Sequence, residues 1–133
     1  MCMLKWKELL DLHHNPPLIP PTRTPEVDEM YRIHRERTPN LVKDLIRNLF
    51  KDDDHFVLVP CPFPYDLEEG IAHWVLWIND DYEYMPWMID VIIKELCHDF
   101  KIRPGIDMVC YQNFKHNMTI PQIQHYQVFF RIS

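Results

Sequence analysis

Glycine is nearly absent from this chain, with two residues in 133 against twelve prolines. Turns that need positive φ are therefore few, and proline has to shape most of the loops. No apolar run approaches the roughly 20 residues of a membrane-spanning helix. The N-terminus lacks the charged-then-apolar pattern of a secretion signal. We therefore expect a cytoplasmic protein that makes no membrane contact.

Cysteines are few and far apart: Cys2, Cys61, Cys97 and Cys110. No Cys-x-x-Cys pair occurs, and the spacing matches neither a compact disulfide framework nor a zinc motif. We predict reduced thiols packed in or near the core.

Basic residues are missing between Lys51 and Lys94, a segment that contains ten acids. The net charge of the whole chain is −6. A protein that grips nucleic acid through many phosphates needs a basic stripe. This distribution excludes extended nucleic-acid binding.

What is present is enough apolar material for one core, since 47% of the residues are hydrophobic and 13% are aromatic. We divide the chain into an N-terminal helix with a Pro-rich strap over residues 1–22 and a single domain over residues 23–133. The strap is the proline run at residues 16–21, which favours an extended connector.

Helical signals occur four times. Residues 3–13 favour a short helix. Thr24-Pro25 supplies a hydroxyl cap and a proline at the first helical position. Residues 40–51 repeat apolar side chains at helical spacing, and a further helix begins at Pro86 with a stripe from Ile89 to Phe100.

Four apolar segments are predicted to be strands: residues 55–60, 73–78, 106–114 and 125–132. With the helices, they give the order helices first, then β-β-α-β-β. We predict an α+β fold, with a four-stranded, mainly antiparallel sheet and the helices on one face.

Two of these strands begin with the same pattern, Ile-x-His-aromatic, at His73 and at His125. Alternation along a strand places His73, Val75 and Trp77 on one face. If the two strands are neighbours, we expect both imidazoles at the same end of one sheet. His73 and His125 are therefore the candidate catalytic residues, because imidazoles titrate near neutral pH and serve as acids, bases or phosphate ligands.

Three other interpretations of the histidines stay open. Two-histidine phosphoesterases repeat His-x-Ser/Thr, whereas the corresponding positions here are Val75 and Gln127. Two histidines and a carboxylate would suit iron or zinc, with Asp66, Glu68 or Glu69 as the third ligand. Both histidines can also be core residues that hydrogen bond to the backbone. No cofactor and no resident metal is predicted.

A tryptophan-based site is a separate alternative. Trp74, Trp77 and Trp87 near Glu83 would stack a nucleobase as cap-binding proteins do. Packing in the core explains the same tryptophans, because Trp74 and Trp77 alternate between the faces of one strand.

A longer pattern, Pro64-Tyr65-Asp66-Leu67-Glu68-Glu69-Gly70-Ile71-Ala72-His73, resembles the DUF3605 family of uncharacterised domains. This family includes the fungal N-acetylglucosamine-induced protein 1 and relatives in large DNA viruses. Further matches are Arg23-Thr24-Pro25, Tyr31, Asn113-Phe114, Thr119-Ile120, His125, Val128 and Arg131. Where the family often has His-x-His, this chain has His125-Tyr126-Gln127.

The resemblance implies a fold and a set of positions, and no established reaction. A viral member would act in the host cytoplasm. We expect a pocket that binds a small polar ligand such as a sugar or nucleotide phosphate, and whether it is an enzyme stays open. The predicted ligand-binding residues are Tyr65, Asp66, Glu68, Glu69, Asn113 and Arg131. The rival hypothesis is a non-catalytic structural protein or one with a protein partner.

Overall fold

The computed structural model describes residues 3–38, 44, 47–50, 55–79, 86–99, 101–114 and 123–131. Within these residues the helices are α1 (Trp6–Leu10), α2 (Pro25–Arg37) and α3 (Pro86–Asp99). The strands are β1 (Phe56–Pro60), β2 (Ile71–Ile78), β3 (Met108–Tyr111) and β4 (His125–Arg131). The order of elements is the predicted one.

The four strands form one sheet in the order β1-β2-β4-β3, and every neighbouring pair is antiparallel. After β2 the chain passes through α3 to the edge strand β3 and returns with β4 to the centre. The predicted α+β class and the four-stranded sheet are confirmed.

Both faces of the sheet are covered by apolar packing. On one face the sheet packs against α3, in a core that contains Leu76, Val128 and Ile93. On the other face Val109 and Phe129 pack with Trp6 and Leu9 of α1. The detail that all helices lie on one face is therefore corrected: α1 needs an apolar surface of its own and finds it opposite α3.

α1 is shorter than the predicted helix 3–13. Its two buried side chains, Trp6 and Leu9, are one turn apart, and the Trp6 indole N–H donates to the carbonyl of Ile106 at 3.0 Å. The residues after Leu10 form turns instead of further helix. The division between residues 1–22 and 23–133 stays a prediction, although α1 contributes directly to the core.

α2 begins where the sequence indicates. The Thr24 hydroxyl accepts a hydrogen bond from the Val27 N–H, and Pro25 is the first helical residue. Of the predicted helix 40–51, residue 44 and residues 47–49 are helical, and the rest lies outside the described residues.

β3 is shorter than the predicted strand 106–114. The N–H groups of Ile106 and Asp107 both donate to the Arg103 carbonyl in a tight turn, so neither group is available to pair with a strand. The ladder starts at Met108.

Three of the cysteines lie in described parts of the chain, and Cys61, Cys97 and Cys110 are free thiols, as predicted. Cys2 lies outside the described residues. Among the helices that the structure describes, none combines the length and apolarity that crossing a membrane requires.

Candidate ligand-binding site

The loop of residues 61–70, between β1 and β2, is held in place by the N-terminal part of the chain. The N–H of Asp66 donates to the Thr22 carbonyl at 2.8 Å. Leu4 donates its N–H to the Asp66 carbonyl and accepts from the Glu68 N–H, each at 2.8 Å. A loop with two prolines and these backbone bonds is fixed before any ligand arrives, so its side chains are preorganised.

The loop closes on β2 through Gly70, whose φ of 90° lies in the region that side chains rarely adopt. This turn brings Tyr65 back over the start of the strand. The Tyr65 N–H then donates to Nδ1 of His73 at 3.2 Å.

His73 has a partner for each ring nitrogen. Since Nδ1 accepts from Tyr65, the proton is on Nε2, which donates to the Gln127 side-chain oxygen at 2.6 Å. The ring stacks between Tyr65 and Phe129, with centroids 4.6 and 4.5 Å away. Burial lowers the pKa of His73 to about 4. His73 is therefore neutral near pH 7 and orients its neighbours.

Tyr65 and His73 are in contact with each other, and three more polar or charged side chains lie around Tyr65. We call these five residues the Tyr65 cluster: Arg23, Tyr31, Tyr65, His73 and Asn113. The Asn113 amide donates to the Tyr65 hydroxyl at 3.3 Å. The Arg23 guanidinium lies 4.5 Å from the ring centre of Tyr31 and 5.5 Å from that of Tyr65. Its Nε donates to the Phe63 carbonyl at 2.7 Å, which fixes the direction of the group. The cluster joins α2, the loop and the sheet.

Buried polar atoms without a partner concentrate around this cluster. Among the described residues, the Tyr31 hydroxyl, the Tyr111 hydroxyl and the Asn113 side-chain oxygen make no hydrogen bond. Asn113 is 7% exposed and Tyr111 is 1% exposed, so bulk solvent does not reach them freely. Buried polar groups normally have partners, so each of these atoms is open to a hydrogen bond from a bound water, ion or ligand.

The positive charge of Arg23 is not neutralised by any carboxylate that the structure describes within ion-pair distance. This charge affects the pKa of two neighbouring groups, the Cys61 thiol and the Tyr65 hydroxyl. Burial raises the pKa of both the Cys61 thiol and the Tyr65 hydroxyl, and Arg23 opposes that rise in each case. Although Asp28, Glu29 and Glu36 line the same pocket, none forms an ion pair with Arg23, and a partly buried cation without an ion-pair partner favours an anionic ligand.

Arg23 and Tyr31 also line an open pocket of about 810 Å³ along α2. Arg35 lies there as well, 5.8 Å from the ring centre of Tyr31. The third arginine of the pocket, Arg32, is paired with Glu29 and Glu36 on its own helix. Arg23 and Arg35 form no such ion pair with a described residue. Both guanidiniums lie near the ring of Tyr31.

His125 does not join this site, which corrects the predicted histidine pair. In the β2–β4 register His73 is opposite Phe129, and His125 is opposite Trp77. The two histidines share a face but lie four residue pairs apart, roughly 13 Å along the strands. In an antiparallel pair the two strand starts are at opposite ends, so the repeated pattern separates the imidazoles.

The surroundings of His125 are those of a structural residue. Its Nδ1–H donates to the Ile123 carbonyl at 2.8 Å, and its ring packs against Trp77 at 4.8 Å. Burial lowers its pKa. The core interpretation of this histidine fits these contacts.

The other predicted ligand residues divide between two places. Glu68, Glu69 and Arg131 line a polar pocket of about 430 Å³ at the start of β2, together with the Arg103–Asp107 ion pair. Asp66 lies in the anchored loop, where its backbone makes the contacts to Thr22 and Leu4 described above.

Neither alternative site assembles in the described residues. No group of three His, Cys, Asp or Glu side chains there is close enough to hold a metal ion. Trp74 and Trp77 lie on opposite faces of β2, and Trp87 is 62% exposed on α3. Glu83 lies outside the described residues.

Sequence reasoning missed Arg23, Tyr31, Tyr111 and Gln127 as members of the site region. The signal for Arg23 is its position one residue before the Thr24 helix cap. The signal for Tyr31 is its position on the inward face of α2. For Gln127 the signal is alternation, because it shares a face with His125 and is opposite Val75, two residues beyond His73. Tyr111 carries no local signal.

The fold and site together define the class: an α+β domain with an antiparallel sheet and a polar cluster beneath its β1–β2 loop. No protein-family model matches the chain, and no curated protein matches it. A solved structure described as the crystal structure of HTC1 is similar, with a TM-score of 0.68 and 16% identity over 97% of this chain and 85% of that chain. At this identity the likeness shows the fold alone.

Proposed function

We propose that the Tyr65 cluster binds a small anionic ligand, such as a sugar phosphate or a nucleotide phosphate. One observation carries the proposal: Arg23 is held by the Phe63 carbonyl and two aromatic rings, while no described carboxylate neutralises it. An arginine fixed by its neighbours loses little side-chain entropy when a phosphate binds, and its fork fits phosphate oxygens.

The ligand is proposed to enter through the open pocket along α2, which Arg23 and Tyr31 line. The phosphate group is proposed to bind the N–H groups of Arg23 and Arg35, whose guanidiniums both lie over the ring of Tyr31. The Tyr31 hydroxyl has no hydrogen-bond partner within the protein, so it is a further candidate donor to a phosphate oxygen.

The resemblance to DUF3605 implies the positions of the site and not the identity of its ligand. All five residues of the Tyr65 cluster are among the positions that carry the resemblance, and we propose membership of that family on this basis. Burial raises the pKa of the neighbouring Cys61 thiol and lowers that of His73, so neither residue is an activated nucleophile. We therefore propose binding and assign no reaction.

The test is a titration of the wild-type protein with a hexose phosphate and with uridine monophosphate, followed by calorimetry and by melting temperature. The neutral hexose is the ligand control. We expect saturable binding of the phosphate compounds only, and a rise in melting temperature, since a ligand that binds the native state stabilises it. Replacing Arg23→Gln is expected to weaken binding by about tenfold or more, because a hydrogen bond to a charged group contributes roughly 1.5–3 kcal/mol.

Arg37→Gln is the matched control: it removes one positive charge from the same helix, at an exposed position outside the pocket. It should bind like the wild type. Arg131→Gln tests the other polar pocket, and a loss of binding there instead of at Arg23 would move the site to Glu68, Glu69 and Arg131. If no phosphate compound binds and Arg23→Gln only lowers the melting temperature, the cluster is structural and the rival hypothesis of an interaction protein stands.

A further inference from the structure

An apolar recess lies between α3 and the sheet, on the face opposite the Tyr65 cluster. It has a volume of about 480 Å³. Its walls come from β2, β4 and α3, and include Trp74, Leu76, Val128, Phe130, Ile93 and Cys97. A volume of this size is in the range of pockets that hold small molecules.

The chemistry of the walls is uniform. No lining residue carries a charge, an amide or a hydroxyl. Trp74 and Phe130 meet edge to face, with centroids 6.2 Å apart, and add aromatic rings to the walls. Water that enters such a space finds almost no hydrogen-bond partners, so it gains little by staying.

The recess is also part of the main core. Leu76, Val128 and Ile93 are at most 5% exposed and belong to the cluster that joins the sheet to α3. Leaving apolar walls wet or unfilled costs a free energy comparable to a sizeable share of a small domain's stability. An occupant of hydrocarbon character removes that cost.

We propose that this recess binds a second ligand, a small hydrocarbon-rich molecule such as a medium-length acyl chain, independently of the phosphate site. Any polar head group remains at the mouth, because the walls offer it no partner. Shape selects among apolar ligands here, since a lining without polar groups cannot discriminate by hydrogen bonding.

The test uses N-phenyl-1-naphthylamine, a neutral apolar probe, with the full chain. We expect saturable fluorescence enhancement, energy transfer from tryptophan that falls in Trp74→Phe, and displacement of the probe by a medium-chain alcohol. Ala72 lies in the lining, so Ala72→Leu places three more carbon atoms in the recess. It is expected to weaken probe binding by about tenfold or more while the melting temperature stays equal or rises.

Val91→Leu is the matched control, because it enlarges an exposed side chain of α3 that does not line the recess. It should bind the probe like the wild type. If Ala72→Leu does not fold, Leu58→Phe fills the recess from the edge strand and carries the same expectation. Absence of saturable binding by the wild type means that the chain fills its own recess, and it overturns the proposal. Equal binding by the wild type and by a folded filling variant also overturns it.

Discussion

A single imidazole shows how hydrogen bonding determines the role of a histidine. His73 accepts from the Tyr65 N–H and donates to Gln127, so both of its nitrogens are engaged within the protein. A general acid or base needs a free nitrogen facing the substrate. The contacts therefore make His73 the residue that fixes Tyr65 against the sheet.

Replacing His73→Phe should cost about 2–6 kcal/mol of unfolding free energy. The phenyl ring keeps the stacking with Tyr65 and Phe129, but it leaves the Tyr65 N–H and the Gln127 side-chain oxygen buried without partners, at roughly 1–3 kcal/mol each. Urea denaturation measures the change. His34→Phe, the same substitution at an exposed position that also packs on an aromatic ring, is expected to change stability by less than about 0.5 kcal/mol. Equal effects at the two positions would contradict the assignment.

At the scale of the element, α2 depends on local signals more than on burial. None of its side chains is buried, so tertiary packing contributes little to keeping residues 25–37 helical. Its stability comes from the Thr24 cap, from Pro25 and from acids in the first turn. The same helix presents Tyr31 and Arg35 to the proposed phosphate site, so helix stability and ligand affinity are linked.

Thr24→Ala should therefore destabilise the protein by about 0.5–1 kcal/mol and weaken phosphate binding in proportion. The effect belongs to the lower part of the usual capping range because the hydroxyl contact to the Val27 N–H is long, at 3.4 Å. Thr24→Ser retains the oxygen and should lose much less. Urea denaturation and calorimetry of both variants provide the measurement, and a Ser variant as unstable as the Ala variant would exclude capping as the cause.

At the scale of the whole molecule, the sequence predicts what is local and fails where distant segments meet. Thr24-Pro25 locates the start of α2, and apolar alternation locates β2 and β4. The repeated Ile-x-His pattern suggested a shared site, yet antiparallel pairing places the two starts at opposite ends. Arg23 reaches Tyr65 across 42 positions of chain, and no periodicity encodes that contact.

The buried histidines give the molecule a predictable response to acid. In the unfolded chain His73 titrates near pH 6.5, whereas in the folded chain burial lowers its pKa to about 4. Between these values the unfolded state binds more protons, so the free energy of unfolding falls as the pH falls, by at most about 3 kcal/mol from this residue.

His125 and His13 contribute in the same direction, because burial lowers the pKa of both. Urea denaturation at closely spaced pH values across this window measures the total slope, and His73→Phe isolates one share of it. The Phe variant starts from a lower stability near neutral pH but loses less on acidification, so the two curves should converge toward pH 4. Parallel curves would mean that His73 is protonated in the folded state, which is incompatible with a ring nitrogen that accepts from the Tyr65 N–H.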